Sequence, residues 1–546
     1  MRASNFLSRR LFLALSAVML TALALVEYLS VRSESPTYDE PNQLMTGFGF
    51  WKLGRYTAGI EHPPLAKLLL TAPLVGLDLD LPASFPRETV DISNPDISKV
   101  FLFHNRVDAD VILRRGRMVA ITFSLMFGLT VALWTRRWFG PVAGLMALSL
   151  YCLDPNLTAH GRYAKNDVAA AWTIFLAAAC WTEYLISKSR RWLWMSGLAL
   201  GVALATKFSA LVLLPAYPLL ALYARSHDRK FPALKSLLVV ALGSVLVIFC
   251  SYKFQFESLQ SAGFTSSALP SAVQKIPLPA ADFVRGLKSL GHKEVQGQSL
   301  GYLLGELSDS GWWYFPFVVL AVKMPLGVTL LTIITIGLVL YRRDPIALPS
   351  LRVAGMTLPV VLYFGASMIT SQNAGIRHML PLLPFLYMAL GWFWAKRLEQ
   401  PSTGTIAMLT ICGVLLAAEN IFIYPHYLAF FNIASGGPKH GPEYLVDSNL
   451  DWGQDAKNLA QYLSGRHVQE PCVSYFGMAE PDHYGIQARP VPPASTAQQV
   501  NAIDCLVAVS ASFLYRPDGM FDGLRQRQPD ARIGYSIYVY DLRKQN

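Results

Sequence analysis

The sequence predicts a mainly α, polytopic membrane protein that ends in a small outer α/β domain. Three observations carry this prediction. Of the 546 residues, 53% are hydrophobic and only 15% are charged, and the mean hydropathy is +0.34, more apolar character than a soluble core can bury. Uncharged runs recur from Leu11 to Ala418, several of them close to the roughly 20 residues that a membrane-crossing helix needs. After about residue 425 these runs stop and short mixed segments replace them.

Basic clusters order the spans, because Lys and Arg in short loops stay on the cytoplasmic side. They are Arg2/Arg9/Arg10, Arg136/Arg137, Lys188/Arg190/Arg191, Arg225/Arg229/Lys230/Lys235, Arg342/Arg343/Arg352 and Lys396/Arg397. An even number of crossings between clusters places spans at 11–31, 114–134, 138–153 and 167–187, with a polar outer turn from Asp154 to Asn166. A hairpin of two short helices over 192–224 turns at Ala205-Thr206-Lys207, and spans at 236–256, 312–341, 352–372, 378–395 and 403–424 follow. The result is about eleven spans with an inner amino terminus, an outer carboxyl terminus and an outer loop at 257–311. Residues 1–424 form the membrane module and 425–546 the outer domain. Arg9-Arg10 ahead of an apolar run, with Ala22-Leu23-Ala24 behind it, also fits a cleaved signal peptide. Cleavage leaves the downstream sidedness unchanged. Because the basic residues sit beside apolar runs, the net charge of +11 reads as membrane anchoring, not nucleic-acid binding.

In the carboxyl-terminal part, Asn449 to Asp455 reads as a helix start before Leu459, Tyr462 and Leu463, and strands are expected at Cys472–Phe476, Cys505–Ser510 and Ser536–Tyr540. Cys472 and Cys505 share a compartment that permits a disulfide, but their spacing does not demand one. The sequence has no Cys-x-x-Cys metal pattern and leaves a metal requirement unknown; it requires no cofactor.

With this topology the unusual polar residues gather outside. Asp39, Glu40, His62 and Lys67 sit in the first outer loop, 32–113; Arg117 begins the next span; Asp154 and Asp167 flank the second outer turn; Lys207 lies in the third and Arg377 in a later one. Ionisable groups held at a bilayer surface point to function. Activated nucleotides are scarce there, so a group-transfer enzyme draws its donor from the membrane, and a sugar on a polyprenyl phosphate fits. Such chemistry needs one base for the acceptor hydroxyl and cations for the departing phosphate. A transporter or flippase of a lipid-linked sugar is the alternative, but it would present its binding groups to both sides in turn.

Tyr38-Asp39-Glu40 with His62-Pro63-Pro64-Leu65-Ala66-Lys67 resembles the signatures of the protein O-mannosyltransferase family, with related patterns in the lipid A aminoarabinose transferases. Asp154-Pro155-Asn156 through Asp167, Gly311 to Pro316 with Lys323-Met324-Pro325, and Ile376 to Pro384 are similar to segments of the bacterial members; His378 stands where an aromatic is usual. The resemblance implies the glycosyltransferase-C fold, a polyprenyl-phosphate sugar donor and inversion at the anomeric carbon. It implies Asp39 as base, Glu40 as its neighbour that shapes the acceptor site, and Arg117 as a phosphate ligand. Lys207 and Arg377 are the further phosphate ligands expected from their position; His62, Lys67, Asp154 and Asp167 complete the expected substrate site. The partners are then the lipid-linked donor, membrane lipids and an acceptor protein, glycolipid or envelope polymer, at the inner (plasma) membrane. The chain lacks the large domain that the protein mannosyltransferases insert in the 257–311 loop, which leaves the acceptor open.

Overall fold

The structure is a computed structural model that describes residues 8–86, 95–258, 260, 270–295, 300–342 and 351–543. Arg2, Arg343 and parts of the 257–311 loop lie outside the described residues.

The membrane module is built from α1 (Arg9–Val31), α2 (Glu40–Leu53), α3 (Ala109–Phe139), α4 (Pro141–Leu153), α5 (Asp167–Ser187), α6 (Arg190–Thr206) and α7 (Phe208–His227). It continues with α8 (Ala233–Ser251), α9 (Phe315–Lys323), α10 (Leu326–Arg342), α11 (Leu351–Ile369), α12 (Ile376–Arg397) and α13 (Thr403–Ile423). Among the described residues eight of these helices are long and apolar enough to cross a membrane, or nine if α9 and α10 count as one. The chain is a multi-pass membrane protein. The count differs from the expected eleven because α4 has 13 residues and α6 has 17, short of a full crossing. A second difference is the segment 312–341, which is not one straight span but two helices bent by 116°. Pro325 follows Met324, whose backbone is extended (ψ 131°), as the residue before a proline prefers, so α9 ends there. The buried Glu419 carboxylate accepts the Leu326 N–H at 2.7 Å and thereby starts α10.

Small residues bring α6 and α8 together. A Cβ on Gly197 would lie 3.0 Å from the Val240 carbonyl oxygen, and one on Gly201 would lie 2.7 Å from the Val247 Cβ. The Ser244 hydroxyl donates to the Gly197 carbonyl at 3.0 Å. Without a hydrophobic drive between helices in lipid, this close approach is what supplies the contact.

The stretch from Asp154 to Asn166 is not the exposed polar turn expected. Pro155–Gly161 is helical and buried throughout, started by the Asp154 side chain, which accepts the Asn156 and Leu157 N–H groups. Residues 425–455 run back across the same end of the bundle in short turns, and the sheet follows. Its strands β1 (Cys472–Ser474), β2 (Leu506–Ser510), β3 (Ala531–Ile533) and β4 (Ile537–Asp541) are ordered β1-β2-β4-β3. The β1–β2 pair is parallel and the other two are antiparallel. Helix Ala456–Gly465 packs Leu459 and Leu463 on one sheet face, and a disulfide joins Cys472 to Cys505 with the Cα atoms 6.1 Å apart.

Gly201→Val should destabilise the bundle by about 1–3 kcal/mol, the usual cost of overpacking. Thermal unfolding of the purified protein in detergent measures it, and an unchanged midpoint would contradict the close α6–α8 seam.

Candidate active site

Asp39 stands at the N-cap of α2, yet its carboxylate makes no bond to its own helix. Its Oδ2 instead accepts Lys165 Nζ at 3.2 Å and Arg377 Nη1 at 2.8 Å; Oδ1 receives no hydrogen bond among the described residues. Lys165 Nζ also lies 2.6 Å from Asp167 Oδ2, whose Oδ1 accepts Lys207 Nζ at 2.5 Å. The five groups therefore form one chain of alternating sign, Arg377, Asp39, Lys165, Asp167, Lys207, with a cation at each end. Burial pushes the Asp39 carboxyl up, but Lys165 and Arg377 outweigh it and hold the group down at about 2.

The two terminal cations are each delivered by a local break in helix geometry. Lys207 ends α6 in an extended conformation (φ −158°, ψ 140°), and its ammonium reaches Asp167 at the start of α5. Gly375 adopts φ +77° before α12; a Cβ there would meet the Asn449 side chain at 1.9 Å, while Asn449 Oδ1 accepts the Ile376 N–H and fixes the start of the helix that bears Arg377. The buried Trp452 ring lies under both cations, 3.7 Å from Lys165 Nζ and 4.8 Å from Arg377 Cζ, close enough for cation–π attraction.

This chain lies in a cavity of about 1400 Å³ that is also lined by His62 and His378. His62 is half-buried, its Nδ1 is enclosed with no partner among the described residues, and desolvation first and then Lys207 and Lys67 hold the ring well below its usual value, hence neutral. On one side the cavity continues between α7 and α11 along Leu211, Val212, Pro215, Val361, Leu362 and Ala366. On the other it reaches Tyr38, Phe476 and Phe513.

Of the residues singled out in the sequence, Asp39, His62, Asp167, Lys207 and Arg377 meet in this cavity. The other four do not line it. Arg117 spends all five N–H groups inside the protein: on Glu40 Oε1 (2.9 Å) and Oε2 (2.7 Å), and on the carbonyls of Val31, Glu34 and Ser35. This corrects its assignment as a phosphate ligand, since no donor remains. Glu40 is likewise filled by Arg117, by Thr37 and by the Ala164 N–H at 2.8 Å. Burial raises its carboxyl, and Arg117 leads the contacts that bring it below its ordinary range. Glu40 is therefore a positioning residue, tying the first loop to the turn that carries Lys165, and not an acceptor-site group. Lys67 is buried against the Tyr56 hydroxyl and the Gly59 carbonyl, where it shapes the 56–61 turn. Asp154 is a helix cap that also accepts the Tyr387 hydroxyl.

Two groups were missed as site members. Lys165 was legible through its place two residues before Asp167 in the same motif. Trp452 lies more than 400 residues from Asp39 in the chain, and only the fold shows that they meet. Among the described residues no three His, Cys, Asp or Glu side chains group so as to hold a metal ion.

Residues 111–252 match the family described as dolichyl-phosphate-mannose-protein mannosyltransferase. The match falls on the same type of membrane glycosyltransferase that the motifs resemble. No curated protein matches the chain. Similar solved structures include ArnT from Cupriavidus metallidurans bound to undecaprenyl phosphate, at 12% identity over 97% of this chain and 99% of that chain, TM-score 0.45. The archaeal oligosaccharyltransferase AglB from Archaeoglobus fulgidus, in complex with an inhibitory peptide and a dolichol-phosphate, is 12% identical over 93% and 71%, TM-score 0.44. The S. cerevisiae Pmt1-Pmt2 complex bound to the sugar donor is 18% identical over 46% and 33%, TM-score 0.32. At these scores they are similarities alone.

Arg117→Met should cost about 3–5 kcal/mol, because it strands the buried Glu40 carboxylate, whereas Arg377→Met, which leaves the partly exposed Asp39 its bond to Lys165, should change stability little. Thermal melts of both variants beside the parent decide; equal shifts would return Arg117 to the cavity residues.

Proposed function

We propose that the chain is a glycosyltransferase-C enzyme that transfers a sugar from a polyprenyl-phosphate donor to an acceptor hydroxyl, with inversion, at the outer face of the inner membrane. The observation that carries this reading is the ion chain itself: three cations bonded to two carboxylates leave one positive charge in the same cavity as an apolar groove. A lipid-linked sugar phosphodiester carries one negative charge at the end of an apolar tail, so it complements the groove and the chain together. Lys165, Lys207 and Arg377 would hold the phosphate. The basic clusters and the Cys472–Cys505 disulfide support an outward-facing site, since a structural disulfide persists in an oxidising compartment.

In the transfer the acceptor oxygen bonds to the anomeric carbon, the bond from that carbon to the phosphate oxygen breaks, and the hydroxyl proton passes to Asp39. The phosphate departs with one more negative charge, among cations already in place, so no acid is needed for the leaving group. A carboxylate at about 2 is ionised but weakly basic. A phosphate arriving among Lys165 and Arg377 sets a second anion against the same cations, which relaxes their hold on Asp39 and raises its basicity as the complex forms. A flippase reading is less favoured, because the charged groups are bonded to one another at one end of the bundle.

Asp39→Asn keeps the size and removes the basicity, so transfer should fall roughly 10²- to 10⁴-fold while binding of the polyprenyl phosphate persists; near-parent turnover by the purified variant would refute the assignment. The depressed carboxyl also sets a sign with pH. It stays charged until the pH falls through its folded value, so kcat/KM for the donor should show no loss due to Asp39 above about pH 3, whereas the acid limb of kcat, which reports the complex, should lie at higher pH. Coincident limbs near the ordinary carboxylate range would contradict the double ion pair.

A further inference from the structure

Resting on the transferase reading, we propose that the carboxyl-terminal sheet domain is the acceptor-recognition module and that the group it takes is a saccharide ring. The sheet supplies the first argument. Strands β1 and β2 are its parallel pair, and the side chains from the sheet onward that reach the cavity follow the carboxyl ends of these two strands: Phe476 after β1, and Ser512, Phe513 and Arg516 after β2. In α/β sheets this is the end at which ligands bind. The domain thus offers its ligand-binding end to the space in front of Asp39.

The chemistry of that wall points the same way. Tyr38, next to the base in sequence and 37% exposed, stacks on Phe476 with ring centroids 5.5 Å apart and planes 11° from parallel. Phe513 meets Phe476 edge-on at 5.8 Å. Aromatic faces carry partial negative charge, and the axial C–H groups on one side of a sugar ring carry the complementary positive charge in a plane of matching size. Hydroxyls at the rim of such a ring need acceptors, and the half-buried Asp447 lines the cavity beside this wall. Its backbone is held at φ +53°, an uncommon conformation for a residue other than glycine, with its N–H donating to the Ser512 hydroxyl at 3.2 Å. An aromatic platform with a carboxylate at its edge recognises a polyhydroxylated ring.

A peptide acceptor fits this wall less well. Extended peptides are read by main-chain bonds along an open strand edge, and the β1 edge is already taken: Val473 N–H donates to the Arg489 carbonyl at 2.8 Å and Arg489 N–H to the Pro471 carbonyl at 2.8 Å. No strand of the four-stranded sheet lines the cavity; the separate hairpin of Gly301–Leu303 and Glu306–Ser308 reaches it through Gly301, Tyr302 and Leu307, on another wall, and the hexapeptide arm of the test addresses that edge.

The test is saturation-transfer NMR on the full chain in nanodiscs, with chitobiose, maltose and a threonine-containing hexapeptide as probes and undecaprenyl phosphate binding measured in parallel. At least one disaccharide should receive saturation through its ring protons, and Phe476→Leu should weaken it roughly two- to twelvefold, the range for one lost aromatic contact. Phe513→Leu and Asp447→Asn should weaken it too, with undecaprenyl phosphate binding unchanged in all three. If Phe476→Leu fails to fold, the other two variants decide. Saturation of the hexapeptide in place of the sugars, no signal from either disaccharide, or sugar signals indifferent to all folded variants would each overturn the proposal. Loss of undecaprenyl phosphate binding in the parent with sugar binding intact would instead strike the donor reading and leave this one standing.

Discussion

The buried pair of Arg117 and Glu40 is the constraint on which the rest of this site depends. Five N–H groups of one guanidinium hold both oxygens of one carboxylate and three carbonyls of the 31–35 turn, and the same carboxylate accepts the Ala164 N–H. Two segments more than 120 residues apart are thereby fixed to one helix, α3. Taking both charges out of water costs several kcal/mol per ion, and a full set of hydrogen bonds is what makes that burial tolerable. The consequence is positional: Asp39 precedes Glu40 and Lys165 follows Ala164, so fixing the pair also sets the Asp39 carboxylate and the Lys165 ammonium face to face.

From that frame the charged groups assemble by closure of the chain upon itself. The first loop pairs with the carboxyl-terminal segment through Ser35 N–H to the Gln454 carbonyl and Tyr38 N–H to the Trp452 carbonyl, both 2.9 Å. This brings the Trp452 ring under Lys165 and Arg377. Lys323, buried at the bend between α9 and α10, donates to the Asn449 carbonyl at 2.7 Å and secures the same segment from below. The carboxyl-terminal part is thus a wall of the site as well as a sheet domain beside it.

The helical runs and the turn at Lys207 were legible because apolar length and Lys or Arg clusters are local signals. So were Asp39, Asp167, Lys207 and Arg377, whose charges stand out against apolar neighbours. What sequence did not separate is a charge facing the cavity from one spent within the fold. Arg117, Glu40, Lys67 and Asp154 carry the same residue types in the same loops, and only their partners, Glu40, Ala164, Tyr56 and Tyr387, show that they are structural. Trp452 stood out only as part of the Asn449–Asp455 helix start, because its place under two cations from distant parts of the chain is set by the fold. The α9–α10 bend was written in Met324-Pro325, yet the apolar run across it read as one span.

The proposed role of the cation-terminated ion chain is to receive a lipid phosphate. The most direct measurement compares the binding of undecaprenyl phosphate with that of undecaprenol, which has the same tail and no charge, to the parent and to the Lys207→Met/Arg377→Met double variant. The phosphate should bind at least roughly tenfold more tightly than the alcohol, as one or more charge-assisted bonds would give, and the gap should close in the variant. Equal affinity of the two lipids for the parent protein would contradict it.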